Sequence, residues 1–118
     1  MPELEGQIVL RNLLDSDCDL DKLPWVPFRE GIEIYRIYGD GRTGPAAALL
    51  RYQPGARAPL HRHADYEHVI VLRRGQSDGS SEFPAGTLIV NPPGTSHDVY
   101  SRNGCVVLII WNKPVEFL

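Results

Sequence analysis

Little in this chain is long, basic or rich in sulfur, and each shortage removes a class of function. Its longest apolar run, Cys105 to Trp111, has seven residues, whereas a membrane-spanning helix needs roughly 20. Lysine and arginine number 12 against 15 acidic residues, for a net charge of −3. Arg73-Arg74 is the one adjacent basic pair, so the clustered positive charge that marks a nucleic-acid partner is missing. The opening residues Met1-Pro2-Glu3-Leu4-Glu5 lack the basic start and apolar stretch of a secretory signal, and a cytoplasmic location is expected. Cys18 and Cys105 stand far apart with no CxxC spacing. Two such cysteines could form a disulfide, but a cytosolic chain would keep both reduced, and Cys105 reads as a small core hydrophobe beside Val106 and Val107.

Convincing amphipathic helices are also missing. Eleven glycines and ten prolines in 118 residues imply many turns, and the length suits one domain, 1–118. Within it, residues 1–24 read as an edge strand (Gln7-Ile8-Val9-Leu10-Arg11) followed by an acidic loop over 15–24 with at most one helical turn. Pro24 and Pro27 bracket Trp25-Val26 as an extended entry into a barrel over 25–118. Short β-rich runs follow, each closed by a turn cluster. Ile32 to Tyr38 ends at Gly39-Asp40-Gly41, Ala46 to Gln53 at Pro54-Gly55, and Val69 to Leu72 at Gly75. Ser77-Asp78-Gly79-Ser80 marks a hairpin-like turn. Thr87 to Val90 ends at Pro92-Pro93-Gly94, and Val106 to Trp111 reads as a fully buried strand. This punctuation points to an all-β sandwich or barrel.

All four histidines lie between residues 61 and 97. On a helix His61 and His63 would diverge by roughly 200°. On a strand they share a face, about 6.5–7 Å apart at the backbone, and could converge on one ion. Glu67 has the same parity, but a straight strand would carry it about 13 Å beyond His63. For Glu67 to join them, the chain must bend or bulge at Ala64-Asp65-Tyr66. A helix pairing His63 with Glu67 at i and i+4 is the alternative. His68, of opposite parity, should point away. His97 follows its own turn and should arrive on a neighbouring strand. Imidazole nitrogens with one carboxylate suit Zn, Fe, Ni, Cu or Mn.

Residues 55–75, GARAPLHRHADYEHVIVLRRG, resemble the first motif of the cupins, with Gly55, His61, His63, Glu67 and Gly75 in its places. Residues 86–97, GTLIVNPPGTSH, resemble the second, through Gly86, Pro92, Gly94 and His97. Ser101 stands where that motif often continues to Asn, a change touching a structural hydrogen bond. The resemblance implies a cupin jelly-roll barrel holding one divalent metal through His61, His63, Glu67 and His97. Trp25-Val26-Pro27-Phe28, Leu49-Leu50-Arg51-Tyr52, Phe83-Pro84-Ala85-Gly86 and Gly104-Cys105 are similar to the cupin domain of ChrR-type anti-sigma factors, which binds zinc through the matching ligands. Those proteins grip their sigma factor with a separate helical domain. Neither its length nor its His-x3-Cys-x2-Cys signature is present here, so direct sigma-factor inhibition is not expected.

The resemblance leaves three functional expectations. One is a metal-dependent enzyme, dioxygenase-like, acting on a small organic substrate at an Fe, Mn or Ni ion. Another is a zinc-binding sensor that binds a small molecule and acts through a separate partner. The last is a barrel merely stabilised by its metal. No catalytic acid or base is assigned; Arg51, Tyr52, Tyr100 and Arg102 stand near the motifs but read first as core or surface residues. Small cupins commonly pair, and an edge strand at 7–11 would offer a homodimer contact. Gly55, Gly75, Gly86 and Gly94 are expected at sharp turns, and Pro92-Pro93 stiffen the approach to His97.

Overall fold

The computed structural model describes residues 6–15 and 19–118; Met1 to Glu5 and Cys18 lie outside them. Ten strands follow a 3-10 turn at Asp19–Lys22: β1 (Val26–Arg29), β2 (Ile32–Tyr38), β3 (Ala46–Tyr52), β4 (Arg57–Arg62), β5 (Glu67–Ser77), β6 (Glu82–Pro84), β7 (Leu88–Asn91), β8 (Ser96–Tyr100), β9 (Cys105–Trp111) and β10 (Glu116–Phe117). Every pairing is antiparallel. The sheet runs β1-β2-β3-β9-β5-β8-β4-β10, with β6 and β7 also on β5, and curls into the expected cupin jelly roll. Among the described residues no helix is long and apolar enough to cross a membrane.

The interior is built in cross-strand rows. Ile32, Tyr52 and Cys105 form one row, Ile34, Leu50, Val107 and Val71 the next, and Arg36, Ala48, Ile109, Val69 and Ile89 a third. Most of these close into one buried cluster. The last row is Ala46, Trp111, Glu67 and Asn91. Alternation thus sends an apolar face inward until, at one end, polar side chains take over.

Two expectations about local structure change. Gln7 to Arg11 form no strand. Leu10 and Leu13 instead pack with Leu20, Leu23 and Trp25 on the outer face of the sheet, against Leu49, Leu72 and Val106. Burying those leucines satisfies the segment better than ladder bonds at an edge would, because the outer face is itself apolar. Nor does Gly75 end a strand. β5 continues through it, and the positive φ falls on Arg74 at 56°, whereas Gly55, Gly86 and Gly94 do adopt φ near +83° to +92°. The register slips between Val71 and Arg73. β5 pairs with β7 as far as Ile70 and with β9 as far as Arg74, and from Gly75 onward with β6 and β8. One strand therefore turns the corner between two layers, as bulged strands do.

Ser101 links the motif ends. Fully buried, it donates from Oγ to the Gly75 carbonyl at 2.6 Å. Its own carbonyl accepts from the Gly55 N–H at 2.7 Å.

Candidate metal centre

β4 and β8 pair with His61 directly opposite His97. The chain leaves β4 after Arg62, and His63 extends the ladder by exchanging backbone bonds with the 92–95 turn: its N–H donates to Thr95 O, and its carbonyl accepts from Gly94 N–H, both at 2.9 Å. Parity survives the strand end, since His61 and His63 are buried and Arg62 between them is exposed. A bend at Ala64-Asp65 follows, and Glu67 re-enters as the first residue of β5. No helix joins His63 to Glu67. His68 is exposed, facing away from the others as its parity requires.

One ligand nitrogen each from His61, His63 and His97 lies within 4.8 Å of the others. Ring centroids are 4.7 Å apart for His61–His97 and His63–His97 and 5.2 Å for His61–His63, all edge-on. Glu67 stands beside this group rather than within it. Its Oε1 lies 3.4 Å from His63 Nε2 and accepts a hydrogen bond from Asn91 Nδ2 at 3.1 Å.

The tautomers follow from the backbone. His61 Nδ1 lies 2.8 Å from the Pro59 carbonyl and His63 Nδ1 2.9 Å from the Thr95 carbonyl. A carbonyl can only accept, so each Nδ1 carries the proton and each Nε2 is left with a lone pair. His63 Nε2 is buried and without a hydrogen-bond partner. A buried polar atom is nearly always satisfied, and backbone carbonyls holding the far nitrogens are the usual support of metal-binding imidazoles. The donor set fits a divalent cation. Burial, opposed by the Pro59 carbonyl bond, lowers the pKa of His61. Burial and the neighbouring His61 and His63 lower that of His97. Both favour the neutral rings that a cation needs.

His61, His97 and Glu67 open on a cavity of about 270 Å³ within the barrel. Its walls carry apolar side chains from the interior rows, and its floor holds Tyr52, raised in pKa chiefly by burial. Arg29 and Trp111, which sequence reasoning did not single out, also line it. Arg29 Nε and Trp111 Nε1 are buried without partners. No motif spacing marks either residue, since they come from the first strand and the far end of β9. Arg51, by contrast, is structural, donating from Nε and Nη2 to Glu33 and stacking over Trp25.

Solved structures of similar fold include a Ralstonia eutropha JMP134 protein of unknown function with a cupin-like fold (20% identity, TM-score 0.64, covering 70% of this chain and 55% of that one). Another is the complex of Rhodobacter sphaeroides SigE with the anti-sigma ChrR (19%, TM-score 0.71, 88% and 60%). A third is an acetylacetone dioxygenase from Acinetobacter johnsonii (15%, TM-score 0.75, 100% and 80%). The chain thus spans little more than half the length of the first two. No curated protein sequence matches it. Residues 15–115 match the ChrR Cupin-like domain, and the chain belongs to that family.

Proposed function

We propose that the protein holds one divalent metal ion through His61, His63, His97 and Glu67 and acts there on a small organic molecule admitted to the barrel. The observation that carries this reading is the buried, unpartnered Nε2 of His63, aimed at two further imidazoles whose nitrogens lie within 4.8 Å. Pro59 and Thr95 hold two rings in the ligating tautomer, and Asn91 steadies the Glu67 carboxylate. An ion so held supplies Lewis-acid polarisation of a bound oxygen and, if redox-active, electron transfer. Four protein donors leave room for a small molecule on Fe, Mn or Ni, whereas they would complete a tetrahedral zinc shell. The apolar rows exclude water from the reacting end of that molecule. The dioxygenase among similar folds makes oxygen chemistry the first reaction to try.

A second reading rests on the family match: a zinc-binding, ligand-sensing module that acts through a separate partner. Metal analysis of protein purified without added metal, followed by oxygen uptake with β-diketones, separates the two. Near-stoichiometric iron, manganese or nickel with oxygen uptake is expected for the enzyme. Stoichiometric zinc without turnover across a substrate panel overturns it.

A further inference from the structure

Two side chains that line the cavity carry a buried N–H with no acceptor. Arg29 Nε and Trp111 Nε1 are both buried without a partner, although buried N–H groups are rarely left so. Trp111 is the cross-strand neighbour of Glu67, which places its indole beside the histidine cluster. Arg29 is held between Phe117, 3.7 Å from its guanidinium carbon, and Phe28, 5.5 Å away. A second guanidinium, that of Arg36, reaches the same cavity at Gly41; a Cβ there would lie 2.9 Å from Arg36 Nη1 and 3.7 Å from Trp111. Among the described residues no ion pair takes up Arg29 or Arg36.

The two carboxylates that also line this space are each engaged through one oxygen. Glu67 Oε1 receives Asn91 and faces His63. Asp78 Oδ1 accepts from the Ser80 and Ser81 N–H groups and from the Ser80 hydroxyl. The other walls, such as Ile34, Leu50 and Ile109, are apolar. A molecule complementary to this lining carries oxygen acceptors, negative charge and a short hydrocarbon body.

We propose that the cavity binds a small organic carboxylate, its oxygens accepting from Arg29 Nε–H and Trp111 Nε1–H and its carbon chain lying on the apolar rows. This deepens the reading above, since it names the ligand class of the same cavity. The donors belong to the protein, however, and do not require the metal. Charge-assisted hydrogen bonds to a carboxylate are the strong ones, and a neutral isostere would leave the guanidinium uncompensated.

The test is calorimetric titration of butanoate, 2-oxobutanoate and butanamide into the purified protein, once with its metal and once after chelator treatment. Both carboxylates are expected to bind at least about tenfold more tightly than the amide. Trp111→Phe and Arg29→Met should each weaken carboxylate binding by about tenfold while weakening the amide, whose neutral carbonyl accepts more feebly, distinctly less. Arg29→Lys, which keeps the charge but loses the Nε–H, should fall between wild type and Arg29→Met; its melting curve controls for folding. Protein that carries metal yet shows no preference for carboxylate over amide overturns this proposal and spares the metal reading. Chelator-treated protein that still prefers carboxylates supports this proposal. Protein that purifies without metal and takes up none when iron, manganese, nickel or zinc is added, yet prefers carboxylates, overturns the metal reading and supports this one. Equal weakening of amide and carboxylate in the variants overturns the assigned donors.

Discussion

Arg29 and Phe117 stand on β1 and β10, the two ends of the sheet path, yet the guanidinium carbon of one lies 3.7 Å from the ring centroid of the other. The same ring lies 5.7 Å from that of His61. One aromatic side chain near the C-terminus thus joins the first strand to the wall that carries the histidines. Phe117→Ala should cost about 1–2 kcal/mol, from a partly exposed cation–π contact and lost apolar burial. A fall of roughly 4–8 °C in melting temperature, read by circular dichroism, is the expected outcome. An unchanged melt would mean that the two edges do not depend on this contact.

Removing one imidazole should separate the members of the cluster from their neighbour. His61→Ala and His97→Ala are each expected to lower metal affinity by about tenfold or more, since even outer supports of such ligands cost that much. His68→Ala should leave metal content unchanged. Elemental analysis of the three proteins decides the matter, and equal loss from all three would contradict the facing of His68.

Acid should unsettle the metal-free protein in a defined window. The folded pKa values of His61 and His97 lie below the ordinary 6.5, chiefly through burial. The unfolded chain therefore binds more protons as pH falls below about 6.5, and folded-state stability declines with it. Asp40 and Asp78, also lowered, start from 3.8 and act only at more acid pH. Urea midpoints of chelator-treated protein should drop between pH 7.5 and pH 5. A midpoint that holds or rises would refute the neutral-ring assignment.

Cys105 tests the opposite end of the pH scale. Burial pushes its thiol up from 9.0 to about 11. A raised acid pKa keeps its stabilising contribution at neutral pH and loses it as pH climbs from 9 toward 11. In the native protein Cys105 should resist thiol reagents at pH 8 and react after unfolding. Prompt labelling of Cys105 in the folded state, located by peptide mass analysis, would overturn this.

Much of the architecture was readable from β-branched and aromatic runs: β2 matches its expected bounds and β9 begins one residue early. β4 and β8 were expected only through the histidines they carry. β6 and β10 were not, because they are brief and polar, and pairing with neighbours makes them strands more than local propensity does. β3 hid its alternation for a different reason. Ala48, Leu50 and Tyr52 face the barrel interior, while Leu49 is covered from outside by the N-terminal leucines. A strand buried on both faces shows no period of two. The three histidines announced themselves by parity and motif. Arg29 and Trp111 could not, because only the closed barrel brings the first strand and the end of β9 to one cavity.

The corner in β5 has a mechanical consequence. Over eleven residues, roughly 33 Å of chain, a single strand is hydrogen-bonded into both layers. Neither layer can slide past the other without breaking that shared ladder. Widening of the cavity mouth is therefore left to its margins, β1 and the two-residue β10, where few backbone bonds resist. A molecule entering the barrel would pass a door hung on Arg29 and Phe117, while the frame stays fixed.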